Sequence, residues 1–342
     1  MRILMGWIRT LRGSWVAIRD APSRGKDASC PWKIPVAGWL DVLVRTRRKT
    51  FDEHLTLLAS GIAYHAFLTL VPTVVAIALI YGMVADPAQV AHDMASLIEI
   101  VPAGGQVLLT ERLTHGMGSR QRDLIGAAST VLITLYTASL FARSVMAAMN
   151  LVYHQRRRPR FLKRWAVAAA IALSGGLFLL IALCGIALLG YVENILPNGT
   201  PLLWNTIRIG FWCLMAAAAG IGFMLIYRFA PAREDARWSW CLPGALAATI
   251  LWLAATYGFG IYVANFARYD AAYGSLAAVV VLQVWMFLSS VALLLGARLN
   301  VELELQTAMD TTTGAPKPLG QRGATAADRV EAGTLSSQEN DA

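Results

Sequence analysis

Charged residues are scarce in this 342-residue chain: 15% are Asp, Glu, Lys or Arg, against 56% hydrophobic. A soluble domain of this length would carry nearer a quarter charged residues. Cysteine is scarce too, with four in all, and Cys30, Cys184, Cys213 and Cys241 show no Cys-x-x-Cys or Cys/His spacing. That excludes a disulfide framework and a zinc site of the usual spacing, and leaves free thiols. The five histidines (His54, His65, His92, His115 and His154) are scattered, and His92-Asp93 is a lone pair. No Gly-x-Ser-x-Gly, Walker loop or His-Glu-x-x-His is present, and no two carboxylates lie at useful spacing in an apolar stretch. Hydrolysis or phosphoryl transfer needs such groups or a metal. The sequence therefore reads as a non-enzyme with no cofactor and no metal, and a nuclease reading finds no ligands.

What the chain has in quantity is long apolar runs. Six stretches read as Leu57–Val84, Leu124–Met146, Trp165–Tyr191, Arg208–Phe229, Leu242–Ala264 and Leu276–Asn300, none with more than two charges. Crossing a hydrocarbon core of about 30 Å takes roughly 20 helical residues, and each run reaches that length. The runs are continuously apolar and do not alternate at period two, so helices are expected and a barrel is not. The expected fold is all-α, a polytopic integral membrane protein with six transmembrane helices.

Lys and Arg fall on one side of these spans. Residues 1–56 carry eleven, including the cluster Arg45, Arg47, Arg48 and Lys49. The connection after the second span adds Arg156, Arg157, Arg158, Arg160, Lys163 and Arg164, and the one after the fourth adds Arg233 and Arg237. The opposite connections hold only Arg112, Arg120, Arg122 and Arg268. This bias predicts both termini in the cytoplasm. The net charge of +9 is then explained by anionic lipid headgroups at the cytoplasmic face, and no nucleic-acid partner is implied. The sequence leaves self-association open.

Three regions follow: 1–56, a basic cytoplasmic segment with amphipathic helices; 57–305, the six spans; and 306–342, a cytoplasmic tail. Ile3, Leu4, Trp7, Ile8, Leu11, Trp15 and Ile18 recur at helical spacing, which suits a helix in the membrane interface. Val36–Val44 forms a second amphipathic piece with Trp39 and Leu40 on one face. The tail lacks apolar periodicity, is rich in small and polar residues, and is expected to be disordered. Between the first two spans, residues 85–123 carry two short apolar stripes that suit helices resting on the outer face.

Polar and helix-breaking residues within the spans are the candidate functional positions. Pro72 predicts a kink in the first span and frees the carbonyl of Leu68. Gly61, Tyr64, His65 and Thr69 share broadly one face of it. His65 has two readings, a proton relay or a neutral ring bonded to a backbone carbonyl. Arg298 and Arg143 lie near the cytoplasmic end, where snorkelling suffices. Gly175-Gly176, Gly220 with Gly222, and Gly258 with Gly260 suggest close helix packing. The turn from Asn265 to Leu276 suggests an Arg268–Asp270 pair and a Ser275 cap, or an outer gate. A transport cavity would be lined by spans one, five and six through Tyr64, His65, Pro72, Asn265, Tyr273 and Gln283.

Several segments resemble the YihY/BrkB family: Leu55 to Pro72, Asn150-Leu-Val-Tyr153, Tyr273-Gly-Ser-Leu276, and Leu295-Gly-Ala-Arg-Leu-Asn300-Val-Glu-Leu-Glu304. The resemblance covers about residues 36–305 and implies a multi-pass bacterial inner-membrane protein. Members have been labelled virulence or serum-resistance factors, and some once carried the mistaken name ribonuclease BN. It also implies a transporter or an envelope permeability factor of unstated substrate; the alternative, a non-transporting scaffold that interacts with lipids, is supported by how little charge the spans carry. The closing family motif reads Gly-Ala-Glu-Leu-Asn, so Gly296 and Asn300 match it and Arg298 stands where the acid is expected. No simple cation coupling through a carboxylate at that position follows here.

Overall fold

The structure, a computed structural model, describes residues 24–84, 120–155, 161–195, 200–266 and 275–331. Its long elements are all helices: α1 (Val36–Asp52), α2 (Leu55–Val84), α3 (Arg120–Val152), α4 (Phe161–Ile195), α5 (Pro201–Phe229), α6 (Trp238–Phe266) and α7 (Ser275–Leu305). A single turn of 3₁₀-helix at Pro31–Lys33 precedes α1. Among the described residues, β pairing is limited to an isolated antiparallel bridge between Ala236 and Thr312. Helices α2 to α7 are the six among the described residues that are long and apolar enough to cross a membrane. The all-α, six-span expectation is met. At 1.5 Å per residue the 30-residue α2 is about 45 Å long, longer than the hydrocarbon core needs.

The six helices alternate in direction, and their buried residues gather at one end of the bundle, here called the base. There α1 leads into α2, and α7 runs into residues 306–331. Leu55, Ala59 and Ile62 at the start of α2 pack with Val145, Met149 and Val152 at the end of α3 and with Leu294, Ala297 and Val301 at the end of α7. Ala245 and Ala248 of α6 and Tyr227 of α5 complete this core. Helix α7 is the centre of the fold, touching α6, α2, α1 and α3, while α4 and α5 close the bundle along α3 and α6. Many large apolar side chains on the spans stay exposed, among them Leu132, Leu173, Leu202 and Ile250. That pattern suits a lipid environment, which removes any penalty for outward-facing leucine.

Serine and threonine inside the spans return their hydroxyls to the preceding turn, as Ser60 does to Thr56 O at 3.0 Å and Thr249 to Ala245 O at 2.8 Å. Such bonds keep polar side chains neutral toward lipid. Pro72 lies inside α2, which runs as one helix from Leu55 to Val84. The turn around Pro72 is tied to α3: Thr134 Oγ1 donates to Pro72 O at 3.0 Å, and Thr69 Oγ1 donates to Thr137 O at 2.9 Å.

Two expectations need correction. Composition predicted disorder from residue 306 onward, yet residues 306–331 are held against the base by hydrogen bonds. Arg322 is the knot, donating to the carbonyls of Ala308 (2.7 Å), Met309 (3.0 Å), Lys317 (3.0 Å) and Ala327 (2.7 Å). Asp310 Oδ1 accepts from Thr312 N at 2.9 Å and Asp310 Oδ2 from Lys317 N at 2.8 Å, closing a turn. Backbone bonds from Arg237 N to Thr311 O (2.9 Å) and from Glu331 N to Leu305 O (2.8 Å) tie the segment down. Polar bonding therefore supplies the order that apolar periodicity would normally signal.

The second correction concerns the glycines. A Cβ on Gly175, Gly176, Gly222, Gly258 or Gly260 would meet nothing within 4 Å, so these do not mediate close helix contact, whereas Gly220 does approach α6, where its Cβ would lie 3.1 Å from Thr249 Oγ1. Backbone-to-backbone approach is found at Gly244 and Gly296, where α6 and α7 touch. The expected amphipathic stretch at residues 1–19, the outer helices of 85–123 and the Arg268–Asp270 pair lie outside the described residues, as do residues 332–342.

Candidate functional site

Between the spans lies an open cavity of about 430 Å³, within the usual range for small-molecule sites. All six spans contribute, with Ile62, Phe141, Phe178, Phe223, Trp252 and Trp285 among the walls. Among the described residues, no ionisable side chain lines it. Its hydroxyls face their own backbones: Ser174 donates to Ile171 O (3.0 Å), Ser289 to Trp285 O (2.9 Å) and Ser290 to Met286 O (2.8 Å). The Trp285 indole N–H is held by Thr256 Oγ1 at 3.2 Å. Gly175 and Gly222 leave room in its wall. The chamber is apolar, and an occupant gains by apolar contact far more than by hydrogen bonding.

The candidate lining residues lie elsewhere. Tyr64 is 55% exposed on the outer face of α2. Its neighbour His65 places Nδ1 2.8 Å from Gly61 O and meets the Tyr64 ring edge-on. The contact with Gly61 O is the backbone-carbonyl bond that one of the two readings of His65 requires. Pro72 is stapled to α3, and Gln283 is half-buried on α7. Neither cavity described here includes Tyr64, His65, Pro72 or Gln283. The side chain of Asn265 and the whole of Tyr273 lie outside the described residues. The apolar cavity described above differs from the expected one of spans one, five and six in that α3, α4 and α5 also form walls.

The closing motif is buried at the base. Asn300 accepts from Gly244 N at 2.8 Å through Oδ1 and donates to Cys241 O at 3.1 Å through Nδ2. Pro243 sits between these groups inside α6, where it denies Ser239 its usual intrahelical donor. One amide side chain on α7 therefore splints the weakened turn of α6, and the glycine pair 244/296 brings the helices close enough for it to do so.

Arg298, expected to snorkel, is fully buried and ion-paired. It lies 2.9 Å from Glu53 Oε2 and 2.8 Å from Glu302 Oε1. Glu302 in turn takes Arg45 Nε at 2.8 Å and Lys49 Nζ at 3.2 Å. Lys49 continues to Glu331 Oε2 at 2.9 Å, and His154 Nε2 lies 3.5 Å from Glu53 Oε1. A separate pair is formed by Arg233 and Glu304, two-pronged at 2.7 and 2.9 Å, with both side chains fully buried. The Arg233 guanidinium also covers the Tyr153 ring at 4.3 Å. Arg298 departs from simple snorkelling because α1, the α1–α2 turn and the tail enclose the end of α7. A charge enclosed in this way needs partners.

Helix direction supplies the reason for so many cations. Glu302 and Glu304 sit in the last turn of α7, the negative end of its dipole, where a carboxylate is disfavoured. Arg45, Lys49, Arg298 and Arg233 offset that cost. Two acids in the final turn of an apolar helix were the available sequence signal for buried partners, but nothing local indicated which arginines would serve.

Outside the spans, burial alone would raise the carboxyls of Glu53, Glu331 and Asp310. Their partners prevail and hold each below its ordinary value: His154 and Arg298 at Glu53, Lys49 and Arg45 at Glu331, and the 312 and 317 amides at Asp310. Carboxyls depressed on folding contribute stability that is present above their unfolded values and lost as pH falls through the folded ones. Hydrogen-exchange protection of residues 306–331 is therefore expected to hold from neutral pH down to 4.5, the ordinary glutamate value, and to be lost below it. Loss beginning above pH 6 would contradict this account.

A second, polar cavity of about 900 Å³ separates the base from the returning tail and is lined by Lys49, Glu53, His154, Asp328, Arg329 and Glu331 among others. Among the described residues, no group of three His, Cys, Asp or Glu is placed to hold a metal ion.

The sequence profile of the family described as virulence factor BrkB matches residues 46–319. The chain belongs to the BrkB family. Similar proteins include a UPF0761 membrane protein of Pseudoalteromonas translucida, 24% identical over 269 residues (77% of this chain, 86% of the relative). Another UPF0761 membrane protein, from Methylibium petroleiphilum, is 28% identical over 265 residues, 76% of this chain but 61% of that longer relative. A Bacillus subtilis relative, YfkH, is named as ribonuclease-like and is 25% identical over 218 residues (62% of this chain, 77% of the relative). No solved structure gives a significant match. In this BrkB-family chain the motif residues Asn150, Tyr153, Gly296 and Asn300 all do structural work at the base. Asn150 Oδ1, for instance, accepts from Ala232 N at 2.7 Å and so joins the end of α3 to the α5–α6 turn.

Proposed function

We propose that this BrkB-family protein resides in a bacterial inner membrane, with its base and both termini in the cytoplasm. There it acts as a transporter or envelope permeability factor for an amphiphile whose apolar part enters the cavity between the spans. The orientation rests on the excess of Lys and Arg in the segments on the base side. The amphiphile reading rests on one observation: among the described residues, the cavity reached by all six spans carries no ionisable group and turns its hydroxyls away. Ion-coupled carriers keep intramembrane charge at the transport path, whereas here the buried charges are at the base, engaged with one another.

Purified protein in liposomes, assayed in parallel for flux of inorganic ions and of fluorescent amphiphiles, tests this reading. Gly222→Phe fills the cavity from a position with open space around it. Amphiphile flux is expected in the wild type and reduced severalfold in Gly222→Phe, at unchanged thermal stability. Ion flux alone, or amphiphile flux indifferent to the substitution, would refute the proposal. Absence of both fluxes in folded protein would favour a lipid-interacting scaffold without transport.

A further inference from the structure

Helix α1 is partly inverted for a helix in water: beside the buried Val42 it turns ion-paired side chains inward, and it turns other apolar side chains outward. Its buried side carries Asp41, Arg45 and the inward-leaning Lys49, held by Arg24, Glu302, Gln306 and Glu331. Its open side carries Val36, Leu43, Val44 and Phe51, each 51–69% exposed. With the half-buried Leu40 these positions fall at spacings of three, four and seven, so they form one stripe along the helix. Arg47 stands in that stripe and Arg48 on its flank, both exposed, with exposed Trp32 and Lys33 just upstream. The inversion has a cause on the inner side. Glu302 and Gln306 at the end of α7 need cations, and α1 supplies them only by turning its polar face inward.

We propose that the outward stripe of α1 docks on an anionic phospholipid surface, its apolar residues entering the acyl boundary and Arg47, Arg48 and Lys33 meeting headgroup phosphates. Three observations favour that occupant. The stripe mixes apolar side chains with cations and carries no acid, since the nearest, Asp52, lies on its flank against Arg48. Long basic side chains among apolar ones suit the boundary between tails and headgroups. The stripe is also continuous with the lipid-facing surface, because only Glu53 and His54 separate α1 from α2, and Leu57 in the first turn of α2 is 72% exposed. No described residue covers it. The inference stands whether or not the protein transports anything.

Nitroxide labels at Leu43→Cys and Val44→Cys test it in the full chain, with Cys30, Cys184 and Cys213 replaced by alanine and buried Cys241 retained. The labelled protein is placed in nanodiscs of phosphatidylcholine alone or mixed with phosphatidylglycerol, with a label at Lys317→Cys as the aqueous reference. The ratio of oxygen to nickel-chelate collisions is expected to be severalfold higher at 43 and 44 than at 317, and higher with phosphatidylglycerol. Reversing Arg47→Glu and Arg48→Glu together should abolish the dependence on lipid charge. Ratios equal to that at 317 would overturn the proposal, as would indifference to lipid charge. So would spin–spin broadening from a second copy, or labels shielded from both reagents by another part of the chain.

Discussion

Replacing Arg233 with methionine is expected to destabilise the folded protein by about 3–5 kcal/mol, the usual loss when one member of a buried ion pair is removed. The reason is local. Glu304 is fully buried and receives both prongs of Arg233, at 2.7 and 2.9 Å, with Thr311 Oγ1 adding one neutral hydrogen bond at 3.1 Å. Without the guanidinium the carboxylate remains buried with a hydroxyl as company. Arg298→Met should cost less, although Arg298 is just as buried, because Glu302 keeps Arg45 and Lys49 and Glu53 keeps His154. Unfolding of the detergent-solubilised protein, followed by near-ultraviolet circular dichroism, gives the comparison. The double variant Arg233→Met, Glu304→Met should recover most of the loss, since a well-packed apolar pair often equals a buried ionic one. Arg233→Lys should fall between, keeping the charge while losing the fork and the flat contact with Tyr153. If Arg233→Met unfolded where the wild type does, the pair would not be what holds the α5–α6 turn to α7.

The contrast between these arginines shows where sequence reading succeeds. The spans were legible because their signal is a sum over some twenty residues, and no single side chain decides it. The roles of Arg298, Arg45 and Arg233 depend on residues far away in the chain: Arg45 meets Glu302 across 257 positions. Arg298 therefore read as a snorkelling cation, which is correct for a helix end in lipid and wrong for one enclosed by its own termini. The tail misled for a related reason. Its order comes from Arg322, Asp310 and backbone bonds to the base, none of which leaves an apolar period. The cavity was sought among polar residues. The apolar cavity between the spans lies where glycines leave space and serines turn their hydroxyls to their own helices, a pattern that composition does not separate from ordinary packing.

Gly296→Ala is expected to be among the most damaging single-methyl additions in the protein, at or above the upper end of the roughly 1–3 kcal/mol typical of overpacking. The added Cβ would come within 3.0 Å of Gly244 O, Tyr227 Oη and Ala248 Cβ. One of these obstacles is backbone, and Tyr227 is fixed by its own bond to Leu293 O at 2.8 Å, so neither yields by a rotamer change. Pushing α7 from α6 would also draw Asn300 off Gly244 N and Cys241 O, leaving buried polar groups beside Pro243 unpaired at about 1–3 kcal/mol each. Gly260→Ala is the matched control, because its Cβ meets nothing within 4 Å; in an exposed helical position it should stay within about 0.5 kcal/mol of wild type. Both glycines sit in apolar helices, and only the neighbouring helix distinguishes them. Equal stability of the two variants would mean that α6 and α7 do not meet at Gly244 and Gly296, and the splint through Asn300 would fall with that contact.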